Sequence, residues 1–220
     1  MFEGDVSSPR QRRAAWADSF FVDHAFFRIV WHNFAVVVPG RLYRANHPTP
    51  LWLARATKRY GLRTVINLRG ARRCGSEALS VDAAARLGLT HVHAPFESRG
   101  APHRERILRL AEIFATMAEP ALIHCKSGAD RAGLAAGLFI LMQGGSADQA
   151  MAQLSWRHLH FRDSPTGILD AFFELYAREG EGKKPFLAWV REDYHEERLR
   201  AAFHPNPVAR FINDRLFARE

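Results

Sequence analysis

Apolar and polar positions along the chain follow two alternating rhythms. The runs "FAVVV" (34–38) and "RLYR" (41–44), parted by Pro39-Gly40, predict a β-hairpin. Thr49 followed by Pro50 supplies an N-cap and a proline at the first helical position, so a helix runs to Tyr60 and stops at Gly61. "RTVINLR" (63–69) is a β-branched strand. "SEALSVDAAARLG" (76–88) reads as a helix capped by Ser76 and stopped by Gly88, and "LTHVHAPF" (89–96) as the next strand. Between His103 and Ala118, the stripe of Ile107, Leu110, Ala111, Phe114 and Met117 lies opposite Arg104, Glu105, Arg109 and Glu112, the mark of an amphipathic helix. "ALIHC" (121–125) is apolar almost throughout, as a strand covered on both faces is. Residues 131 to 143 are apolar all round, which predicts a central helix, closed by Gly144-Gly145.

Ser146 and Gln149 form a capping box for a helix to about Arg157, and a further helix spans about Pro165 to Arg178. "GEGKK" (180–184) is a break, and the remainder to Glu220 reads as helical segments packed on the outside. Strand and helix alternate between about 60 and 143, which predicts an α/β fold with a mostly parallel sheet flanked by helices. The expected division is a disordered basic arm over 1–14, one domain over 15–180 and a C-terminal helical extension over 181–220. A chain of 220 residues, 47% apolar, suits a single core.

The segment from about Phe20 to Val30 is amphipathic. The longer stretch "FFVDHAFFRIVWHNFAVVV" is too often interrupted, by Asp23, His24, Arg28, His32 and Asn33, to span a membrane as a helix. "MFEGDVSSPRQRR" carries Glu3 and Asp5 and no apolar core, so it does not read as a signal peptide. The two cysteines, Cys74 and Cys125, make no disulfide framework and fit a reducing, cytoplasmic setting. The net charge of +8 rests almost wholly on arginine; the lysines are Lys58, Lys126, Lys183 and Lys184. This balance favours an anionic partner: a phosphorylated substrate first, an anionic membrane surface second, with nucleic acid not expected. A polyanion-binding protein would instead show salt-sensitive binding that survives loss of Cys125.

The chemistry concentrates in "ALIHCKSGADRAGLAAGLFIL" (121–141). A buried strand that ends in a glycine-containing turn and feeds a helix is built to hold phosphate, because turn N–H groups converge and the helix N-terminus adds partial positive charge. Arg131, at the first turn of that helix, can offer two parallel hydrogen bonds to phosphate oxygens. The same field favours a thiolate at Cys125. A lone strand-end cysteine is ordinarily a core residue; His124, Cys125, Gly128 and Arg131 at this spacing point the other way.

"HCKSGADR" fits H-C-x-x-G-x-x-R, and the chain thereby resembles the cysteine-dependent tyrosine and dual-specificity phosphatase superfamily over roughly residues 34 to 178. "LYRANHP" and "TVINLR" are similar to the entry of small bacterial members. The resemblance implies a tyrosine-phosphatase-like fold of the dual-specificity type with a four- to five-stranded sheet, and a phosphomonoester hydrolase needing no cofactor or metal. It implies Cys125 as nucleophile forming a cysteinyl-phosphate, Arg131 as phosphate and transition-state ligand, and the N–H groups of Lys126, Ser127, Gly128, Ala129, Asp130 and Arg131 as the phosphate cradle, with His124 supporting the loop.

Two positions depart from the superfamily pattern. The residue after the arginine is usually Ser or Thr, whose hydroxyl assists hydrolysis of the phosphoenzyme; here it is Ala132. The usual general acid is an Asp some thirty residues before the cysteine, but "HVHAPFESRGAPH" (91–103) contains no Asp. Asp130, directly before Arg131, is the preferred acid, as in lipid phosphatases such as the myotubularins. Glu97 is the alternative, with His93 and His103 behind it. Cys74 reads as a surface thiol rather than a redox partner of Cys125. Trp156, Leu159 and His160 of "WRHLHF" read as core, and Gln153 is a candidate to place the hydrolytic water. Phosphotyrosine or dual-specificity protein substrates are expected first; a phosphoinositide, sugar or nucleotide phosphate is the alternative, and a phosphate-binding module with vestigial catalysis the second.

Overall fold

The structure, a computed structural model, describes residues 4–23 and 30–204. The chain groups into two compact units, each discontinuous in sequence. The first comprises 1–95 and 117–128, the second 96–116 and 129–220. This division does not follow the expected boundaries at 15 and 181.

The first unit holds a five-stranded sheet: β1 (Ala35–Val38), β2 (Leu42–Ala45), β3 (Thr64–Asn67), β4 (Thr90–His93) and β5 (Ala121–His124), in the order β1-β2-β5-β3-β4. Only the β1–β2 hairpin is antiparallel; β2–β5, β5–β3 and β3–β4 are parallel. Ala45, His124, Asn67 and His93 stand in register at the C-terminal ends of the four parallel strands. That edge is where open α/β sheets place ligands. Tyr43, Ala45, Val65 and Leu122 share a core with Leu53 and Ala56 of α2 (Pro50–Tyr60) and Ala83 and Ala84 of α3 (Gly75–Arg86). The alternating residues Leu42, Ile66 and Ile123 are fully buried too, which explains the unbroken apolar runs.

Local rules account for these elements. Thr49 Oγ1 accepts from the Trp52 N–H, Pro50 occupies the first turn, and Gly61 ends α2 in the left-handed region at φ +65°. The basic arm is a correction. Residues 9–14, expected to be disordered, form the first half of α1 (Pro9–Phe21). Ser8 and Gln11 make a reciprocal capping box with Pro9 just inside it, and Ala15 is buried in a small cluster with Val6 and Leu79. The cap of α3 is a second correction. Ser76 is inside the helix, where its hydroxyl meets that of Ser19 at 2.8 Å. The cap comes from α1 instead: Asp18 Oδ1 accepts from the Gly75 N–H at 2.6 Å. The expected segment from Phe20 to Val30 lies largely outside the described residues.

The second unit is helical: α4 (Arg104–Thr116), α5 (Asp130–Met142), α6 (Ala147–Met151), α7 (Ile168–Glu179), α8 (Phe186–Glu192) and α9 (Glu196–Ala202), with short 3₁₀ turns at Trp156–His158 and Pro165–Gly167. All but two residues of α5, Ile140 and Met142, are buried, as its uniformly apolar sequence requires. Phe139 of α5 meets Phe114 of α4 edge to face at 5.0 Å. The helix expected to reach Arg157 stops at Met151; Ser146 and Gln149 do cap it as expected. The chain then turns over 152–155, and Leu159 adopts φ +62°. The segment after 180 shares the core of this unit, since Phe186, Trp189 and Tyr194 stack into one aromatic cluster with Phe172 and Tyr176. Residues 205–220 lie outside the described residues. Among the described residues, no helix is long and apolar enough to cross a membrane.

Candidate active site

Along the chain, Cys125–Gly128 of the motif belong to the first unit and Ala129–Arg131 to the second. In the first unit Cys125 directly follows β5 and is buried, and its Sγ accepts a hydrogen bond from the Gly128 N–H at 3.2 Å. Gly128 is required twice over. Its φ is +74°, and a Cβ there would lie 2.7 Å from the Asn46 nitrogen and 2.8–2.9 Å from the Ala45 carbonyl. Three carbonyls of this half-loop are held. Arg44, fully buried in β2, donates from Nη2 to Gly128 O at 2.8 Å; Asn33 Nδ2 donates to Ser127 O at 2.8 Å; and the His47 N–H donates to Lys126 O at 3.3 Å. Carbonyls held from outside leave a loop's N–H groups to face the other way, as a phosphate nest needs, and the Gly128 N–H faces the Cys125 sulfur.

A further layer supports these contacts. His47 Nε2 meets Ser76 O at 3.1 Å and its ring packs edge-on against His124 at 4.7 Å. Arg69 Nη1 approaches His47 Nδ1 at 3.4 Å, which assigns that nitrogen as acceptor and the proton to Nε2. Arg69 also forms a buried bidentate pair with Asp23 at 2.9 and 3.0 Å. Lys126 Nζ lies 3.9 Å from the same carboxylate. The quoted runs "LYRANHP" and "TVINLR" thus hold the loop through Arg44 and His47, with Arg69 behind His47.

In the second unit, Asp130 is the first residue of α5 and is buried. Its Oδ1 lies 2.9 Å from His160 Nδ1, and His160 Nε2 lies 2.6 Å from Asp170 Oδ2 on α7. Burial alone would push the imidazole toward neutrality, but the hydrogen bonds to the two carboxylates outweigh it and raise the His160 pKa to about 9. At neutral pH an imidazolium therefore donates to both aspartates. The expectation that His160 is an ordinary core residue missed this role, and Trp156, expected in the core, is 73% exposed. Arg131 is buried, and its Nε has no hydrogen-bond partner among the described residues. Ala132 is fully buried.

The other candidates fall as follows. Glu97 of the second unit is not a solvated loop residue: Oε1 pairs with Arg106, with His103 Nε2 at 3.7 Å. His93, at the end of β4, is bonded through Nε2 to Glu77 Oε1 at 2.6 Å. Cys74 is a free, partly buried thiol at the N-cap of α3, and burial raises its pKa. The Gln153 N–H closes the turn after α6 on Ala150 O.

A thiol at the end of a parallel strand, cradled by a glycine turn that carries this motif, defines a cysteine-dependent phosphatase of the tyrosine and dual-specificity kind. Over residues 43–165, more than half of the chain, the sequence matches the family described as DSP-PTPase phosphatase fused to NAD+ kinase, and the chain belongs to that family. It is a protein-tyrosine-phosphatase-like phosphoric monoester hydrolase. Among curated proteins no relative matches. Among solved structures, the fold is similar to that of TpbA from P. aeruginosa, solved with pTyr (20% identity, 72% of this chain and 88% of that one, TM-score 0.52). A putative phosphatase (DUF442) from Shewanella putrefaciens is also similar (20% identity, 71% and 99% covered, TM-score 0.50). So is the core catalytic domain of the PP-IP phosphatase Siw14 from S. cerevisiae (17% identity, 78% and 90% covered, TM-score 0.49).

Proposed function

We propose that the protein is a phosphotyrosine or dual-specificity protein phosphatase working in a reducing cytoplasm through a cysteinyl-phosphate. Cys125 Sγ attacks phosphorus, the ester oxygen departs, and water then cleaves the S–P bond to regenerate the thiolate and release phosphate. The N–H groups from Lys126 to Arg131 and the Arg131 guanidinium bind the phosphoryl oxygens and the charge that builds on them. The observation that carries this reading is the 3.2 Å bond from the Gly128 N–H to Cys125 Sγ within the motif, since an inward N–H stabilises a sulfur anion.

In this reading Asp130 braces the loop rather than donating the proton. The proton it shares sits on His160, whose raised pKa keeps the imidazole charged, so Asp130 anchors the start of α5 and orients Arg131. A phosphatase that lends its leaving group little proton assistance favours leaving groups that need little. A phenolate, conjugate pKa near ~10, leaves far more readily than an alkoxide near water's ~16. Phosphotyrosine is on that ground ranked above phosphoserine, sugar phosphates and phosphoinositides. The test is a turnover screen across phosphotyrosyl and phosphoseryl peptides, phosphoinositides and sugar phosphates, run beside Cys125→Ser. Phosphotyrosine should be turned over fastest, and Cys125→Ser should bind it without turnover. Preferred hydrolysis of an alkyl phosphate would reject the substrate assignment, and turnover by Cys125→Ser would reject the nucleophile.

A further inference from the structure

The first unit carries a cluster that phosphate chemistry does not use. Glu77 of α3 and His91 and His93 of β4 each bring one donor atom to a common point, all within 4.8 Å of one another. His91 and His93 are two apart on a strand, so their rings share a face, with centroids 4.9 Å apart. β4 is one of the two edge strands of the sheet, and His93 is its last residue. Glu77 is buried and divides its two oxygens: Oε2 accepts from Asn67 Nδ2, while Oε1 faces His93 Nε2 at 2.6 Å. His91 Nε2 is inaccessible to solvent yet has no hydrogen-bond partner among the described residues.

An ordinary Glu–His ion pair accounts for His93 and one oxygen of Glu77, but leaves the neighbouring His91 ring with a buried nitrogen that has no hydrogen-bond partner among the described residues. A cation accounts for all three. We propose that Glu77, His91 and His93 bind a late first-row divalent metal ion, zinc by the chemistry of its donors. Two imidazole nitrogens and one carboxylate oxygen are a common zinc set, with the fourth position left to water. Bonds of about 2.0–2.2 Å in a tetrahedron put donor atoms roughly 3.3 Å apart. The pair at 2.6 Å opens slightly to reach this, and His93, exposed at the sheet edge, is free to turn. Binding replaces the hydrogen bond between His93 and Glu77 by two bonds to the ion. Asn67 then serves as the outer partner that fixes the carboxylate, as metal-bound carboxylates generally require. The ion ties α3 to β4 at the point where the chain leaves the first unit, and it takes no part in phosphoryl transfer.

The test uses the full chain, stripped with chelator, in a Cys74→Ser/Cys125→Ser background so that neither thiolate can bind the probe. Cobalt(II) is titrated in and followed by its visible absorption, then displaced with zinc. One equivalent should give the intense band of a tetrahedral nitrogen–oxygen site. His91→Gln, His93→Gln and Glu77→Gln should each weaken binding at least ~10-fold. His93 is exposed, so its substitution leaves the fold intact even if the buried positions do not tolerate change. Absence of a saturable band, or unchanged affinity in His93→Gln, would overturn the site.

Discussion

The two ends of the catalytic loop are held by different physics. From Cys125 to Gly128, hydrogen bonds to the backbone dominate: three carbonyls each receive a donor, one of them the Arg44 guanidinium and two of them neutral amides, and a glycine lets the backbone pass within van der Waals reach of β2. At Asp130 the restraint is ionic, an imidazolium between two buried carboxylates. The first arrangement is insensitive to pH and intolerant of volume. The second tolerates small changes of shape but depends on one proton. Around its nucleophile, a loop that must bind a dianion gains from donors that carry no negative charge and do not titrate near neutrality, whereas a negative charge at the head of α5 is favourable only because it faces a helix N-terminus and a charged histidine.

The contrast breaks hardest at Gly128. Gly128→Ala puts a Cβ against the Asn46 nitrogen and the Ala45 carbonyl at a φ that L-residues avoid. Stability should fall by about 1–3 kcal/mol from the backbone conformation alone. Displacement of the loop by about an ångström should cost on the order of 10²-fold in kcat/KM. Steady-state kinetics together with a denaturant titration check both numbers; full activity would mean the glycine turn is not the cradle.

At the other end, His160→Asn removes the cation and leaves Asp130 and Asp170 buried without it. Breaking a buried charge network in this way costs about 3–5 kcal/mol, which for a chain of this size lowers the melting temperature on the order of 10 °C. Adding Asp170→Asn should recover part of the loss, because one uncompensated charge then disappears. No melting shift in the single variant would show that the triad contributes nothing to stability.

The same histidine sets a pH dependence whose sign is fixed. Its folded pKa, about 9, lies above the unfolded value of ~6.5. The stabilisation is therefore complete below about pH 6.5 and is lost as pH rises toward 9. Denaturant titrations across that window should show wild type losing a few kcal/mol, with the His160→Asn variant flat over the same range. A parallel decline in both would assign the effect to another group.

Much of this was legible in the sequence, and the parts that were not share one cause. The strand–turn–helix and its eight-residue motif are contiguous, so residue order alone exposes them, as it does the caps at Thr49 and Ser146. The Ser8–Gln11 capping box was equally local, but arginine-rich surroundings invited a reading as disorder. Arg44 could not be found this way: an arginine in a strand reads as solvent-facing until β2 is known to pair with β5. The Asp18 cap on Gly75 bridges 57 residues and the Asp130–His160 bond 30. No periodicity links such pairs, so only the folded chain brings them together.

A direct assay separates the brace from the acid. If Asp130 orients the loop, Asp130→Asn should lower kcat/KM by a similar factor on nitrophenyl phosphate and on a phosphotyrosyl peptide, because loop geometry serves both. If it donates the proton, general acid catalysis of about 10²–10⁴-fold should vanish only where the leaving group is poor. Glu97→Gln should change neither, since Glu97 is already committed to Arg106.

The smallest effect is expected at Ala132, the one loop-proximal position where the superfamily's hydroxyl is missing. In the proposed mechanism the second half-reaction expels the Cys125 thiolate from phosphorus, and a neighbouring hydroxyl would assist by donating to that sulfur. Without it, hydrolysis of the phosphoenzyme should lag behind its formation. Rapid mixing with nitrophenyl phosphate should then show a burst of up to one nitrophenolate per enzyme before the steady rate. A neutral hydrogen bond contributes about 0.5–1.5 kcal/mol, so Ala132→Ser should raise the steady rate roughly 2–10-fold and shrink the burst. Ala132 is fully buried, so the new hydroxyl costs stability wherever it lacks a partner. A variant that is less stable and no faster would mean the hydroxyl does not reach the sulfur. A wild type without a burst would mean the second step never limits turnover.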